Sequence, residues 1–185
     1  KYVTVPANAR GLRANLEVRM GKLAEASGKS PFNYVENPGK KIGVISSGMA
    51  YTFAQEVFGD QVSYLKLGFS YPHPLEMMKE FCQGLETIYI IEENDPIIEE
   101  AVKLLGFECH GKDPFHAYGE LTPDVIRKAV TGEAKEILPL ECGSVVDRPP
   151  TLCAGCPHRG FFYELGKRKN VMVAGDIGCY TLGFA

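Results

Sequence analysis

Short apolar runs alternate with helix-like patterns along most of the chain. Three runs of five or six residues are apolar enough to predict buried strands, at residues 41–45, 62–67 and 87–91. After these runs, apolar residues recur every three or four positions and predict helices at residues 49–58, 75–85 and 95–106. Strands that alternate with helices across short loops form parallel sheets. The pattern therefore predicts an α/β domain whose parallel sheet is covered on both faces.

The helix after the third strand carries the clearest end signals. Asp95 is placed to cap its N-terminus, and Pro96 fits its first turn. Glu99 and Lys103 are spaced to pair across one turn, and Gly106 is a common helix stop. These signals predict a helix with a defined start and end.

The first forty residues predict a helix and a linker. Leucine and methionine recur every three or four positions over residues 9–26, after an extended entry at residues 1–8. The opposite face carries four basic residues, which fits either a solvated surface or contact with an acidic partner domain. Turn-forming residues predict a linker at residues 30–39.

The later part of the chain predicts smaller elements and a second domain. Residues 107–110 are a candidate fourth strand, and residues 123–130 predict a short helix. Prolines and loop-like sequence indicate an interdomain linker at residues 133–150. The second domain is expected to open with a helix at residues 160–167 and a strand at residues 171–174.

The composition excludes some classes of protein but does not indicate a function. The 185 residues are 45% hydrophobic and 23% charged, as in ordinary folded proteins. A net charge of −3 gives no reason to expect a nucleic-acid partner. No apolar run approaches the roughly 18 residues that predict a membrane span, and no secretory signal is visible. Since the chain starts at Lys1 and ends just after a loop, we interpret it as a piece of a longer polypeptide.

Two predicted strand ends are candidate sites, because ligands bind beyond the carboxyl ends of parallel strands. The turn at residues 46–48, Ser-Ser-Gly, can cradle an anion, although a plain strand-to-helix turn is the simpler interpretation. Glu92 and Glu93 can form an acid/base pair. Adjacent strand residues face opposite ways, which favours a solvated loop end instead.

The six cysteines fall into three sets. Cys82 and Cys109 lie in apolar surroundings, which predicts buried thiols that pack as small hydrophobic groups. The chain is neither small nor rich in cysteine, so a reducing compartment, the cytoplasm, is expected. Cys142 lies in the predicted interdomain linker. The remaining three, Cys153, Cys156 and Cys179, stand on two glycine-containing turns and are candidate metal ligands.

Four interpretations of these last three cysteines stay open from the residues alone. The favoured one is an iron–sulfur site with a fourth cysteine beyond Ala185, or with Cys142. A structural zinc site lacks an easy fourth ligand, because His158 is too close to Cys156. A thioredoxin-like redox pair fits Pro157 at a helix start, but not the prolines upstream. The cysteines can also simply be packed without a function.

Two stretches resemble a known family. Residues 148–160 read RPPTLCAGCPHRG, and residues 175–180 read GDIGCY. They resemble the alpha subunit of the indolepyruvate:ferredoxin oxidoreductases, which belong to the thiamine-diphosphate-dependent 2-oxoacid:ferredoxin oxidoreductase family. Looser agreement is found at residues 41–51, 71–74, 92–99 and 111–112. The resemblance covers nearly the whole chain and is most specific from Arg148 onward.

This resemblance implies a domain layout. Residues 1–39 would be a helix and linker, and residues 40–118 a transketolase C-terminal-like α/β domain. Residues 119–150 would be a helix and interdomain linker, and residues 151–185 the beginning of a thiamine-diphosphate-binding α/β domain. The family's magnesium motif, Gly-Asp-Gly, is expected after Ala185, so Asp176 is not assigned to magnesium.

The resemblance also implies cofactors and site residues. These are thiamine diphosphate with Mg²⁺, and a [4Fe–4S] cluster on Cys153, Cys156 and Cys179. Cofactor-binding residues would be Gly155, His158, Ile177, Gly178 and Cys179. The glutamate that activates thiamine diphosphate would lie outside this chain, so no catalytic residue is assigned.

The implied activity is oxidative decarboxylation of aryl pyruvates such as indolepyruvate. Coenzyme A would accept the acyl group, and electrons would pass through iron–sulfur clusters to ferredoxin. A smaller beta subunit would be the partner, with no nucleic acid or membrane, and the isolated fragment would be inactive. The alternative from another functional class is a zinc-stabilised α/β interaction module without catalysis.

Overall fold

A four-stranded sheet organises the first of two units in this computed structural model, Lys1–Glu136 and Ile137–Ala185. The structure describes residues 3, 5–133, 146, 149–175 and 177–183. The strands are β1 (Asn33–Glu36), β2 (Ile42–Ser47), β3 (Ser63–Leu67) and β4 (Thr87–Ile91). Their order is β1-β3-β2-β4, and β2 pairs in parallel with both β3 and β4. The predicted α/β class with a largely parallel sheet is confirmed.

Six helices accompany the strands in the described part of the chain. They are α1 (Pro6–Gly28), α2 (Gly48–Phe58), α3 (Leu75–Cys82), α4 (Ile97–Leu104), α5 (Pro123–Thr131) and α6 (His158–Gly166). Short 3₁₀ turns lie at Gly59–Gln61 and Thr181–Gly183. The predicted helices are found, with ends shifted by a few residues.

Two apolar clusters cover the two faces of the sheet. Val44, Tyr64 and Ile91 pack with α2, α5 and Phe115 on one face. On the other face, neighbouring strand residues pack against α3 and α4, including Ile45, Leu65, Ile90, Met78 and Val102. Successive strand residues point to opposite faces, so continuous apolar strands supply both clusters.

Strand β1 corrects the predicted linker at residues 30–39. It is an antiparallel edge strand on β3, with Asn33 opposite Leu67 and Glu36 opposite Tyr64. Asn33 is only 4% exposed. Its amide donates to the carbonyls of Ser27 and Phe69, both at 2.9 Å, and its Oδ1 accepts from the Phe69 N–H at 2.8 Å. A buried asparagine, rather than an apolar pattern, ties this strand to the fold.

The start of α4 also differs from the prediction. Asp95 does not cap the helix, because α4 begins at Ile97 without a side-chain cap at the preceding residue. The carboxylate of Glu92 accepts from the N–H groups of Ile98 and Glu99 instead, at 2.8 and 3.0 Å. Glu92 is 7% exposed, so the predicted solvated loop end is wrong for this residue.

Residues 107–110 do not form the predicted fourth strand. His110 makes a single parallel bridge to Tyr89, in which its backbone bonds to Ile88 and Ile90 at 2.8 and 2.9 Å. A one-residue bridge is too short to count as a strand, because Cys109 and its predecessors make no further pairing there.

The long helix α1 starts earlier than expected and is mostly exposed. It begins at Pro6, since proline is well tolerated in a first helical turn, so the predicted extended entry is shorter. Ser27 is its one buried residue, whereas Leu12 and Val18 are exposed. The four basic residues on its other face are exposed, so both interpretations of that face stay predictions.

The second unit contains α6 and the 3₁₀ turn Thr181–Gly183. The strand predicted at residues 171–174 is not formed. Val171 is 51% exposed and Met172 is 98% exposed. A strand needs a hydrogen-bonded neighbour, and the described residues of this unit supply none.

None of the described helices combines the length and the apolar composition that a membrane-spanning segment requires.

Candidate functional site

The turn that carries Cys153 and Cys156 lies directly before α6. The backbone N–H of Cys156 donates to the Cys153 carbonyl at 3.2 Å and closes the turn. Gly155 has φ +71°, which favours a residue without a Cβ. Both thiols are free, Cys153 exposed and Cys156 half-buried. The sequence therefore builds a tight loop with both cysteines accessible.

Arg159 fastens this turn to the first turn of α6. Its Nε donates to the Cys153 carbonyl at 3.2 Å, and its Nη2 donates to the Leu152 carbonyl at 2.5 Å. Its backbone N–H also donates to the Cys156 carbonyl at 3.1 Å. The sequence prediction gave Arg159 no role, although its position six residues after Cys153 puts its long side chain within reach of the turn.

His158 lies against the sulfur of the second cysteine. Its Nδ1 is 3.3 Å from the Sγ of Cys156, within hydrogen-bond distance for sulfur. Its ring stacks on Phe162, with centroids 6.2 Å apart and planes at 25°. Tyr180 meets the same ring edge-on at 5.3 Å. The imidazole is thus held between two aromatic rings and one thiol.

The turn at Gly178 and Cys179 reaches α6 through its next residue. Tyr180 lies 6.0 Å from Phe162, centroid to centroid, in an edge arrangement. Gly178 has φ +138°, and its carbonyl accepts from the Thr181 N–H at 3.1 Å. The neighbouring Cys179 is exposed. Tyr180 thereby links the second glycine turn to the helix that follows the first.

The other predicted cofactor-binding residue, Ile177, is 97% exposed. Among the residues that the structure describes, no group of three or more His, Cys, Asp or Glu side chains is placed to hold a metal ion. Cys142, the alternative fourth ligand, lies outside the described residues. The assignment of Cys153, Cys156 and Cys179 as ligands of one centre stays a prediction.

The cysteine turn itself fits one side of a soft metal centre. Cys153 and Cys156 supply two unpaired thiols from a single tight turn, and thiolates are the ligands that zinc and iron–sulfur clusters share. The donor chemistry thus agrees with the predicted cluster. It does not distinguish a cluster from zinc.

An apolar groove of about 680 Å³ lies beside the aromatic rings of the second unit. Phe161 and Phe162 form one wall, and Val173 and Tyr180 contribute another. A Cβ at Gly183 would come within 2.7 Å of the Phe162 ring, so glycine permits this close approach. The sequence prediction missed the groove. The adjacent phenylalanines of α6, Phe161 and Phe162, were the sequence feature that could have indicated the groove.

The strand ends of the first unit hold polar groups that are already satisfied. The Ser46 hydroxyl donates to the Ile91 carbonyl at 2.7 Å and joins β2 to β4. Ser47 precedes α2 without a side-chain cap, and Gly48 has φ +56°. Ser46 thus has a structural role, and an anion site at the turn of residues 46–48 stays a prediction.

Glu92 and Glu99 form a buried carboxylate pair with opposite pKa directions. Burial raises the pKa of Glu92 above its usual 4.5, and the N–H groups of α4 offset this only in part. Burial also raises the pKa of Glu99, but contacts with Lys103 and Lys112 outweigh it and lower the pKa overall. Glu99 accepts from Lys103 Nζ at 2.6 Å and from the Lys112 N–H at 2.8 Å. The network fastens the segment after residue 110 to α4.

The first two cysteines are packing groups. Cys82 is 2% exposed, as predicted, whereas Cys109 is only half-buried. Burial raises the pKa of Cys82 to about 12 and that of Cys109 to about 11. Because the thiolate is the reactive form, both thiols are inert at neutral pH.

Curated proteins similar to this chain include indolepyruvate oxidoreductase subunits. The indolepyruvate oxidoreductase subunit IorA of Pyrococcus abyssi is 36% identical over 99% of this chain and 32% of its own length. That of Methanothermobacter thermautotrophicus is 35% identical over 99% of this chain and 34% of its own length. This chain is thus similar to indolepyruvate oxidoreductase subunit IorA over nearly its whole length. The resemblance predicted from the cysteine stretch is confirmed, and the chain spans about a third of the length of the curated relatives it matches.

A more distant relative has the same name. The IorA subunit of Archaeoglobus fulgidus is 30% identical over 98% of this chain and 32% of its own length. Among solved structures, 2-oxoglutarate:ferredoxin oxidoreductase from Magnetococcus marinus matches 71% of this chain and 24% of that chain, with 17% identity and a TM-score of 0.49. No protein-family model matches the chain.

Proposed function

We propose that this chain is part of an oxidoreductase that oxidatively decarboxylates indolepyruvate and related aryl pyruvates. The observation that carries the proposal is 36% identity, over 99% of the chain, to a protein named as an indolepyruvate oxidoreductase subunit. Coenzyme A is the proposed acyl acceptor, and ferredoxin the electron acceptor. A smaller beta subunit completes the enzyme, which works in the cytoplasm.

The proposed domain roles follow the predicted layout. Residues 40–118 form a transketolase C-terminal-like domain, and residues 151–185 begin the thiamine-diphosphate-binding domain. The mixed sheet of the first unit supports the first assignment, because such domains are α/β layers. The positive φ angles of Gly155 and Gly178 support the second, since both turns can approach a cofactor closely.

The proposed ligands of a [4Fe–4S] cluster are Cys153, Cys156 and Cys179. The residues proposed to lie beside thiamine diphosphate and Mg²⁺ are Gly155, His158, Ile177, Gly178 and Cys179. When bound, thiamine diphosphate accepts the electron pair left by departing carbon dioxide, and the cluster passes electrons singly. The chain's own contribution is positional. Arg159 binds the carbonyls of Leu152 and Cys153 in the first turn, and both thiols of that turn remain free.

The test is a reduction assay on the complete two-subunit enzyme, with indolepyruvate, coenzyme A and ferredoxin. Replacing Cys156 with Ser is expected to lower ferredoxin reduction by at least about tenfold, because one proposed sulfur ligand is lost. Tyr163→Phe is the matched control, since Tyr163 is 68% exposed on the same helix. Absence of activity in the wild-type complex, with other aryl pyruvates also inert, contradicts the proposal. The 185-residue fragment alone is expected to be inactive.

A further inference from the structure

His158 is held in place by contacts that do not involve any cofactor. Its ring stacks on Phe162 within α6, at a centroid distance of 6.2 Å. Tyr180, from beyond residues 171–175, closes the other side at 5.3 Å. A side chain fixed by two aromatic rings keeps a constant orientation, so its nitrogen positions are set before a ligand arrives.

The fixed orientation directs Nδ1 at one sulfur. The Cys156 Sγ lies 3.3 Å from Nδ1. A metal-bound thiolate has no hydrogen to donate, so the imidazole must be the donor in this contact and must carry its hydrogen on Nδ1. Among the described residues, the sulfur of Cys153, the first cysteine of the turn, has no such contact. Its neighbour Arg159 donates to the Cys153 carbonyl and not to the sulfur.

We propose that His158 is a positioning residue that donates a hydrogen bond from Nδ1 to the Cys156 sulfur and raises the reduction potential of the bound cluster. The inference rests on the proposed function, in which Cys156 is a cluster ligand. Reduction adds one electron, supplied in a titration by a chemical reductant such as dithionite, and increases the negative charge on the sulfurs. A hydrogen bond to a ligating sulfur stabilises that added charge, and such bonds are among the factors that set cluster potentials.

The proposal gives His158 a role different from binding the substrate. Loss of the Nδ1–H should change the potential of one cluster, whereas a residue that only packs α6 should change stability and leave the potential unaltered. His158→Phe separates these roles, because phenylalanine keeps a ring for Phe162 and Tyr180 but has no donor. His158→Gln restores a donor without the aromatic ring.

The experiment is an anaerobic redox titration of the purified two-subunit enzyme, followed by electron paramagnetic resonance and visible absorption. At a fixed potential near the wild-type midpoint, His158→Phe is expected to lower the ratio of reduced to oxidised cluster about tenfold, equivalent to a shift of about 59 mV for one electron. His158→Gln should recover part of this difference. Tyr163→Phe is the control and should match the wild type.

Three outcomes decide the proposal. A lower reduced fraction in His158→Phe, partly recovered in His158→Gln, supports it. A cluster that needs Cys156 but titrates identically in the wild type and His158→Phe overturns the role of His158 and leaves the proposed function intact. A wild-type enzyme whose cluster signals all survive Cys156→Ser overturns the proposed ligand itself, and the inference with it.

Discussion

The two units of the chain differ in how they use their apolar residues. In the first unit, residues such as Ile45 and Leu65 are fully buried on the two faces of the sheet. In the second unit, none of the described residues at 149–175 and 177–183 is buried, and Met172 and Ile177 are 98% and 97% exposed. The first unit is stabilised by its own core. The second carries the candidate cysteine turn, which contacts between nearby residues hold in place.

The two units also differ in how far apart in sequence their hydrogen-bonded residues lie. In the first unit, Asn33 bonds to Phe69, 36 residues away. In the second unit, the described contacts of the cysteine turn come from Arg159 and His158, within seven residues along the chain. Distant contacts join residues across the first unit, whereas the cysteine turn is held by its neighbours in sequence. The described link from this turn to the second glycine turn runs through Tyr180, whose ring meets His158. Mutations should therefore affect stability in one unit and chemistry in the other.

Truncating one isoleucine in each unit should give the largest difference in stability between the two units. Ile45→Ala removes a fully buried side chain from β2 and should destabilise the first unit by about 2–5 kcal/mol, through lost burial and a cavity. Ile177→Ala removes an exposed side chain and should change stability by less than about 0.5 kcal/mol. Urea unfolding followed by circular dichroism measures both. Equal losses would contradict the assignment of the core to the first unit.

Two glycine substitutions should give a smaller contrast. In Gly111→Ala, the new Cβ overlaps the carboxyl group of Glu99, which is held by Lys112 and cannot move freely. We expect a loss of about 1–3 kcal/mol from this overpacking. Gly160 in α6 has no atom within 4 Å of an added Cβ. Gly160→Ala should therefore be neutral, or stabilise α6 by up to about 1 kcal/mol.

These two variants are compared by thermal unfolding under one set of conditions. A Gly111→Ala variant as stable as the wild type would show that the Glu99 network yields easily. In that case the network would not fix the segment after residue 110.

The smallest expected effect is a pH dependence from Glu99. Its folded-state pKa lies below the usual 4.5, so its ionised form stabilises the folded chain above that pH. This contribution is lost as the pH falls through the lowered pKa. Glu99→Gln removes the charge that pairs with Lys103 and should cost about 1 kcal/mol at neutral pH. The difference from the wild type should shrink below pH 4.5.

Urea unfolding from pH 3 to pH 7, in steps of about half a unit, checks this dependence. Glu100→Gln is the control, because Glu100 is an exposed neighbour on the same helix. A constant difference between wild type and Glu99→Gln across this range contradicts the assigned direction.

The central strands could be predicted because their burial on both faces is reflected in their apolar composition. A parallel strand buried on both faces must be apolar at consecutive positions, as β2 and β4 are. The edge strand β1 was missed because its sequence, NYVE, is half polar and lies between turn residues. Its anchor is Asn33, whose partners near residue 68 are distant in the chain.

The site could be predicted by residue type but not by arrangement. The spacing of Cys153 and Cys156 identified their shared turn, because two residues between cysteines close a loop.

Two features of the fold could not be predicted from local signals. The cap on α4 comes from Glu92, although Asp95 lies nearer to the helix start in the sequence. The apolar run at 171–174 predicted a strand, but pairing also needs a neighbouring strand, which a single run does not specify.

The most direct test of the central claim is anaerobic iron, sulfide and zinc analysis of the complete enzyme, together with its cluster spectra. We expect iron and sulfide in the wild type, and loss of one cluster's spectral signal when Cys153 is replaced with Ser. The exposed Tyr163→Phe variant should retain every signal. Stoichiometric zinc without iron, which would favour a zinc-stabilised interaction module, or an unchanged spectrum in Cys153→Ser would contradict it.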